Sequence, residues 1–350
     1  MITPRQIAIP TLVRAKPGAL DRLGIYARRH EFKRVALLHS HDLLAKLRER
    51  VEAGLAREGI ELVLRLPVND ASFEQAEGLL RDLPSGIDAL IGLGGGKALD
   101  VAKYLGFLSR LPYLAVPTSL SNDGFCSPQS SLTLAGKRRS LPAAMPFGVV
   151  IDTEVCLQAP DILWCSGVGD LAAKFTAVRD WKLAFHAKGT PVDDFAALLS
   201  DATAFQFLGR PVKDQEGVRL LGTALLLNGI SMAIGGSSRP VSGSEHLISH
   251  ALDATCERPR LHGLQVGVAA YLVSLLQQHE TDRIAALFDA TGFWSHIQAD
   301  PFSRQEWLHA AQLAPTIKAG YYTILSERDC LPEIAKLIDS DPRLSPCFKP

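Results

Sequence analysis

The sequence predicts a chain of two domains, an α/β domain with a parallel sheet over residues 1–157 and an all-helical domain over residues 158–350. Three observations carry this. At 350 residues the chain exceeds the size at which a single hydrophobic core usually stops growing. Its first third alternates short apolar runs with amphipathic ones, the pattern of successive βαβ units. Beyond Ala159 and Pro160 that alternation largely gives way to long apolar helical patterns.

In chain order, residues 35–38 read as a strand and 42–56 as the helix behind it. Residues 60–66 form a second strand, 72–83 a helix, 89–93 a third strand, 97–109 a helix and 113–116 a fourth strand. Residues 130–140, with Gly136 at the turn of SLTLAGKRRS, read as a hairpin, and 148–151 as a returning strand. Helical patterns at 170–187, 218–233, 263–278 and 305–313 fill the second domain. There is no internal repeat, and the tail SDPRLSPCFKP reads as loop.

Composition removes several function classes. With 47% hydrophobic and 21% charged residues the chain is neither disordered nor fibrous. Lys plus Arg and Asp plus Glu both total 37, so no net charge argues for a nucleic-acid or membrane partner, although a local basic pocket could hold a phosphate. The six cysteines include no CxxC pair, which points away from a zinc ribbon or a disulfide scaffold and toward reduced thiols in a cytoplasm. The N-terminal stretch has no uninterrupted apolar region of signal-peptide length, and no segment is read as approaching a membrane span, so the expectation is a soluble protein.

Two polar turns carry the first chemical signal. Gly94, Gly95, Gly96 and Lys97 lie between the third strand and its helix, where glycines admit a pyrophosphate and a helix N-terminus offers free N–H groups. The run matches neither GxGxxG nor a Walker A sequence, and a merely tight strand-to-helix turn would read the same. The next βα turn holds Thr118, Ser119, Ser121 and Asp123 at the same sheet edge, where open α/β sheets bind ligands. Asp42, after the first strand, is placed to meet an adenine ribose.

The second signal is a set of metal-capable side chains. In SRPVSGSEHLISHALD, Ser242 and Glu245 have capping-box spacing, so a helix is expected to carry His246 and His250 on one face. His262 stands just before another apolar helix, and Asp170 is read as opening the helix at 170–187, where an acidic residue would complement the dipole. Two imidazoles and a carboxylate suit a catalytic divalent ion with an open position. Spacing alone does not make Asp170, His246 and His262 converge.

The segments GLGGGKALDVAKY, AVPTSLSNDGFCSP, GDLAAKFTAVRDW, SSRPVSGSEHLISHALD and LHGLQVG, in that order, resemble the sn-glycerol-1-phosphate dehydrogenase branch of the iron-containing alcohol dehydrogenase and dehydroquinate synthase superfamily. The likeness runs over about residues 30–275. It implies a Rossmann-like N-terminal domain for NAD or NADP, an all-helical C-terminal domain in the dehydroquinate synthase-like arrangement, and a divalent ion in the cleft between them. Carried over by motif, the metal ligands are Asp170, His246 and His262, with zinc expected and iron or nickel as alternatives. Asp123 falls near the substrate hydroxyls and His250 beside the reacting centre. Gly95, Gly96, Lys97 and Asp100 fall in the cofactor motif, joined by Thr118, Ser119 and Ser121.

Dehydroquinate synthases have a glutamate as first metal ligand in an AEVIKYG-like segment where this chain has Gly169, Asp170 and Leu171, and Lys174, which favours the dehydrogenase branch. Arg239, in SSRPVSGSEH, is expected with Ser242 to contact a substrate phosphate. The resulting expectation is a metal-dependent dehydrogenase acting on a small polyol phosphate, with homo-oligomerisation open. A plain polyol dehydrogenase and a cyclase of the same fold are the alternatives, and a noncatalytic ligand-binding protein is disfavoured by the intact ligand set.

Overall fold

The computed structural model describes residues 6–349. They divide into two compact units. One comprises the described residues up to 120, residues 124–159 and 214–233; the other comprises 121–123, 160–213 and 234 onward.

In the first unit the elements run β1 Leu12–Lys16, α1 Leu23–Arg29, β2 Arg34–Ser40, α2 Ala45–Arg57, β3 Glu61–Val68, α3 Phe73–Arg81, β4 Ala89–Gly94, α4 Gly96–Ser109 and β5 Tyr113–Pro117. There follow β6 Gln129–Leu134, β7 Lys137–Pro142, β8 Gly148–Asp152 and α5 Thr153–Leu157. Six strands form one parallel sheet in the order β1-β8-β5-β4-β2-β3. β4, β5 and β8 are buried along their whole length, as strands covered on both faces must be, which is why they read as unbroken apolar runs. The edge strand β1 was not expected, because LVRAK shows too short an apolar pattern to stand out. β6 and β7 form the expected hairpin, and Ala135 and Gly136 both adopt positive φ (50° and 74°), as a two-residue hairpin turn with the strands' own twist demands.

From residue 161 the chain is mostly helical: α6 Asp161–Ala172, α7 Lys174–Lys188, α8 Asp194–Leu208, α9 Gln215–Gly235, α10 Ser244–Thr255 and α11 His262–Gln277, with further short helices to residue 340 and, against the all-helical expectation and the loop reading of the tail, a parallel pair of two-residue strands, Phe302–Ser303 with Phe348–Lys349. Two expectations change. The helix read at 170–187 is two helices broken at Ala173, so Asp170 lies near the C-terminal end of α6 instead of opening a helix. Gly167 and Gly169 hid α6 from a pattern reading, since glycines argue against a helix interior.

The single boundary near 157 also gives way, because residues 214–233 belong with the first unit and 121–123 with the second. α9 packs so closely there that a Cβ at Gly229 would sit 2.0 Å from the Cys126 carbonyl oxygen, and one at Gly222 would sit 3.1 Å from Ile151. Contrary to the sequence reading, α9 is long and apolar enough by composition to span a bilayer; its apolar window is 67% buried within the fold.

Candidate active site

The sheet of the first unit reverses its strand order between β2 and β4, and ligands of open α/β sheets bind at the carboxyl ends flanking such a reversal. Those ends are Ser40 and Gly94. Gly94 has φ 137°, a backbone region that excludes side chains, and a Cβ there would lie 2.2 Å from Ser40 Oγ. Ser40 Oγ accepts the Gly95 N–H at 3.0 Å, which ties the two strand ends together. Gly95 itself has φ −84°, caps α4, and has open space where a Cβ would project. The positive φ therefore belongs to Gly94, while Gly95 leaves a cradle at a helix N-terminus beside Gly96 and the exposed Lys97.

Thr118 donates its N–H to the Gly94 carbonyl at 3.1 Å, so the Thr118–Ser119 turn adjoins the glycine turn. Asp42 is exposed in the turn after β2. Asp100 is turned inward instead. Burial pushes its carboxyl up against the pull of Lys103, whose Nζ lies 3.4 Å away and also donates to the Gly124 carbonyl. That engagement gives Asp100 a structural occupation where a cofactor contact was expected. Ser121 belongs to the second unit, where its carbonyl accepts from Ser166 Oγ at 2.9 Å.

Within the second unit, α6 supplies Asp170, α10 supplies His246 and His250, and α11 begins with His262. The donor atoms of Asp170, His246 and His262 all lie within 4.8 Å of one another. Asp170 Oδ1 is 3.4 Å from His246 Nε2 and 3.8 Å from His262 Nε2. Atoms sharing a tetrahedral zinc at ~2.0–2.1 Å would stand about 3.3 Å apart, so little adjustment separates this set from a coordination sphere. Oδ1 is fully buried and has no hydrogen-bond partner, although its twin Oδ2 accepts the Asp123 N–H at 2.9 Å. A buried carboxylate oxygen that makes no hydrogen bond, at the negative end of a helix and beside two imidazoles, favours a cation, and this donor set fits a divalent one. His250 stands beside it, its ring 5.9 Å from that of His262 and 6.3 Å from that of His246.

Lys174, one residue past the break between α6 and α7, was not expected at the site. Its fully buried ammonium bonds Asp123 Oδ2 at 3.0 Å and lies 3.7 Å from Asp170 Oδ1. Burial pushes the Asp123 carboxyl up, helped by the Asp170 charge and opposed by Lys174. Burial acts on Asp170 in the same direction, but Lys174 and the two imidazoles outweigh it and hold that carboxyl low. Burial disfavours a charged His246, yet the carboxylates of Asp170 and Glu245 on either side of the ring push it up to about 9. The i,i+4 spacing of Asp170 and Lys174 was visible in sequence, but the break at Ala173 was not.

Further sequence expectations are revised. The capping box of Ser242 and Glu245 does not form: Gly243 occupies the cap position, and the Glu245 carboxylate turns to Gly243 N–H, Thr176 and His246. Ser242 is buried, and its carbonyl accepts from Tyr321 Oη at 2.6 Å. Arg239 is 5% exposed, donates to the Tyr322 carbonyl at 2.6 Å and the Gly320 carbonyl at 3.5 Å, and lies 3.7 Å from the centroid of Tyr321. Part of its donor fork is thus already used. The neighbouring Lys318 ammonium, 4.0 Å from the same centroid, donates to Ser238 Oγ at 3.0 Å.

This geometry has relatives. Residues 14–160 match the family model of the iron-containing alcohol dehydrogenases. The glycerol-1-phosphate dehydrogenase [NAD(P)+] of Aeropyrum pernix is 35% identical over 342 residues, which cover 95% of this chain and 96% of that one. The enzyme of the same name from Methanothermobacter thermautotrophicus is 34% identical, with 95% and 97% covered. Among solved structures, glycerol dehydrogenase from Schizosaccharomyces pombe superposes with a TM-score of 0.77 over 98% of this chain and 91% of that one, at 18% identity, a likeness of fold. Near-complete coverage at this identity, on a chain that brings an aspartate and two histidines together in one unit and carries a glycine turn in the other, leaves one assignment: the chain belongs to the glycerol-1-phosphate dehydrogenase family of the iron-containing alcohol dehydrogenases.

Proposed function

We propose that this protein interconverts sn-glycerol 1-phosphate and dihydroxyacetone phosphate with NAD or NADP, using one divalent ion. The observation that carries the reading is the buried Asp170 Oδ1, which makes no hydrogen bond and faces two imidazole nitrogens. When bound, the nicotinamide supplies the hydride acceptor and the ion supplies Lewis-acid polarisation of the reacting oxygen. Asp170, His246 and His262 would hold the ion, zinc being the expected one and iron or nickel alternatives.

In the oxidation direction the carbinol hydrogen leaves as hydride to the nicotinamide, and the hydroxyl proton must reach water. His250, half-buried at the rim of the histidine cluster, is the group assigned to carry it. Asp123 stays oriented toward the substrate hydroxyls through its bond to Lys174. Gly94, Gly95, Gly96, Lys97, Thr118 and Ser119 are assigned to the cofactor, with Asp42 toward its ribose. For the phosphate, the remaining donors of Arg239 are joined by Lys318 and the Ser242 segment, since both cations lie over Tyr321. The reading is of a soluble cytoplasmic enzyme, free to form homo-oligomers, with a small-molecule partner and neither nucleic acid nor membrane.

The test is NAD(P)H oxidation with dihydroxyacetone phosphate and with dihydroxyacetone, each with and without chelator. Chelator-sensitive turnover with a clear preference for the phosphorylated ketone is expected. Preference for the unphosphorylated ketone would move the assignment to a plain polyol dehydrogenase.

A further inference from the structure

Glu245 is fully buried in the first turn of α10, directly before His246. Neighbours on a helix point about 100° apart and do not ordinarily touch. Here the carboxylate folds back: Oε1 accepts the Gly243 N–H at 2.5 Å and lies 2.9 Å from His246 Nδ1, while Oε2 is 2.9 Å from Thr176 Oγ1. Contacts from a backbone amide and from a second helix thus hold it in the one pose that reaches the imidazole. The opposite ring nitrogen, Nε2, is the one facing Asp170.

We infer that Glu245 is a positioning residue that accepts Nδ1–H of His246 and so holds the ring with Nε2 turned to the ion, which on binding takes the place of the Nε2 proton. The inference rests on the reading of Asp170, His246 and His262 as an ion site. A consequence follows from the geometry. Rotation of the imidazole about its bond to Cβ is blocked at both edges, so the ligand is in place before the ion arrives. A carboxylate present only to cap α10 would need the Gly243 contact and neither of the others.

The experiment measures zinc affinity of the full chain by competition with a chromophoric chelator, for wild type, Glu245→Ala and Glu245→Gln. The glutamine keeps an acceptor for Gly243 and His246 and removes the charge. Zinc affinity is expected to fall roughly ten- to a hundred-fold in Glu245→Ala and about tenfold in Glu245→Gln, the usual range for such partners of a ligating histidine. Raising free zinc should restore kcat in both, which a loss of structure alone would not allow. Wild-type zinc affinity in a folded variant, or activity that stays lost at saturating zinc, overturns the inference. If Glu245→Ala fails to fold, Glu245→Gln decides by the same two readouts. A wild-type chain that takes up no zinc overturns the ion reading itself and this inference with it, whereas zinc binding that neither substitution weakens overturns this inference alone.

Discussion

Lys318 shows how much a single side chain can reveal about a ligand. Lys318 is exposed, yet loss of water where its ammonium packs over Tyr321, and then the nearby guanidinium of Arg239, lower it to about 8. Two cations share one tyrosine ring, an arrangement that an arriving dianion would relieve. The sign of the pH effect is fixed by which form binds: below about 8 Lys318 is protonated and attracts phosphate, and above it the attraction fades. The kcat/KM for dihydroxyacetone phosphate should therefore fall as pH rises through about 8, since that ratio reports the free enzyme. Lys318→Arg should flatten this limb, and dihydroxyacetone should show none of it; an identical limb in the arginine variant would remove Lys318 from the phosphate reading. Neither Lys318 nor Glu245 could be singled out from sequence. Lys318 is some eighty positions from Arg239, and Glu245 reads as a cap by spacing, whereas Asp170, His246 and His262 stood out because their flanking segments carry a resemblance.

At the scale of elements, the proposed ion site depends on how closely α6 approaches α11. A Cβ added at Gly263 would sit 1.8 Å from the Ser166 carbonyl oxygen, and one at Gly169 would sit 2.0 Å from the Gly263 carbonyl oxygen. These are backbone atoms, so nothing cheap can give way, and the same approach brings Asp170 on α6 to His262 at the start of α11. Gly263→Ala should destabilise the protein by about 1–3 kcal/mol or more in urea titration and also weaken zinc binding, because the helices must separate. Gly78→Ala, in α3 with nothing within 4 Å of the new methyl, should instead stabilise by roughly 0.5–1 kcal/mol. Retained wild-type stability in Gly263→Ala would contradict the close packing. The parallel sheet was legible because β4, β5 and their helices switch period at each turn. α6 was not, because a glycine that serves a neighbouring backbone looks in sequence like a helix breaker.

For the whole molecule, the glycine turn proposed for the cofactor and the residues proposed to hold the ion fall in separate compact units, each built around its own elements. A boundary read as one cut missed this partition because chain order conceals that residues 214–233 return to the sheet unit. If each ligand stabilises its own unit, the two effects should be separable by substitution. Zinc at a hundred times its Kd should add about 2.7 kcal/mol to unfolding, and chelator should remove it. Gly95→Val fills the open cradle, and because Gly95 sits at φ −84° a β-branched residue fits the backbone without strain. That variant should lose most of the stabilisation given by NADH while keeping the full zinc increment, and its stability without ligands should stay near wild type. Melting curves recorded with zinc, with NADH and with both would decide the matter. Undiminished NADH stabilisation in Gly95→Val would show that the pyrophosphate lies elsewhere, and a lost zinc increment would show that the glycine turn and the ion site are energetically coupled.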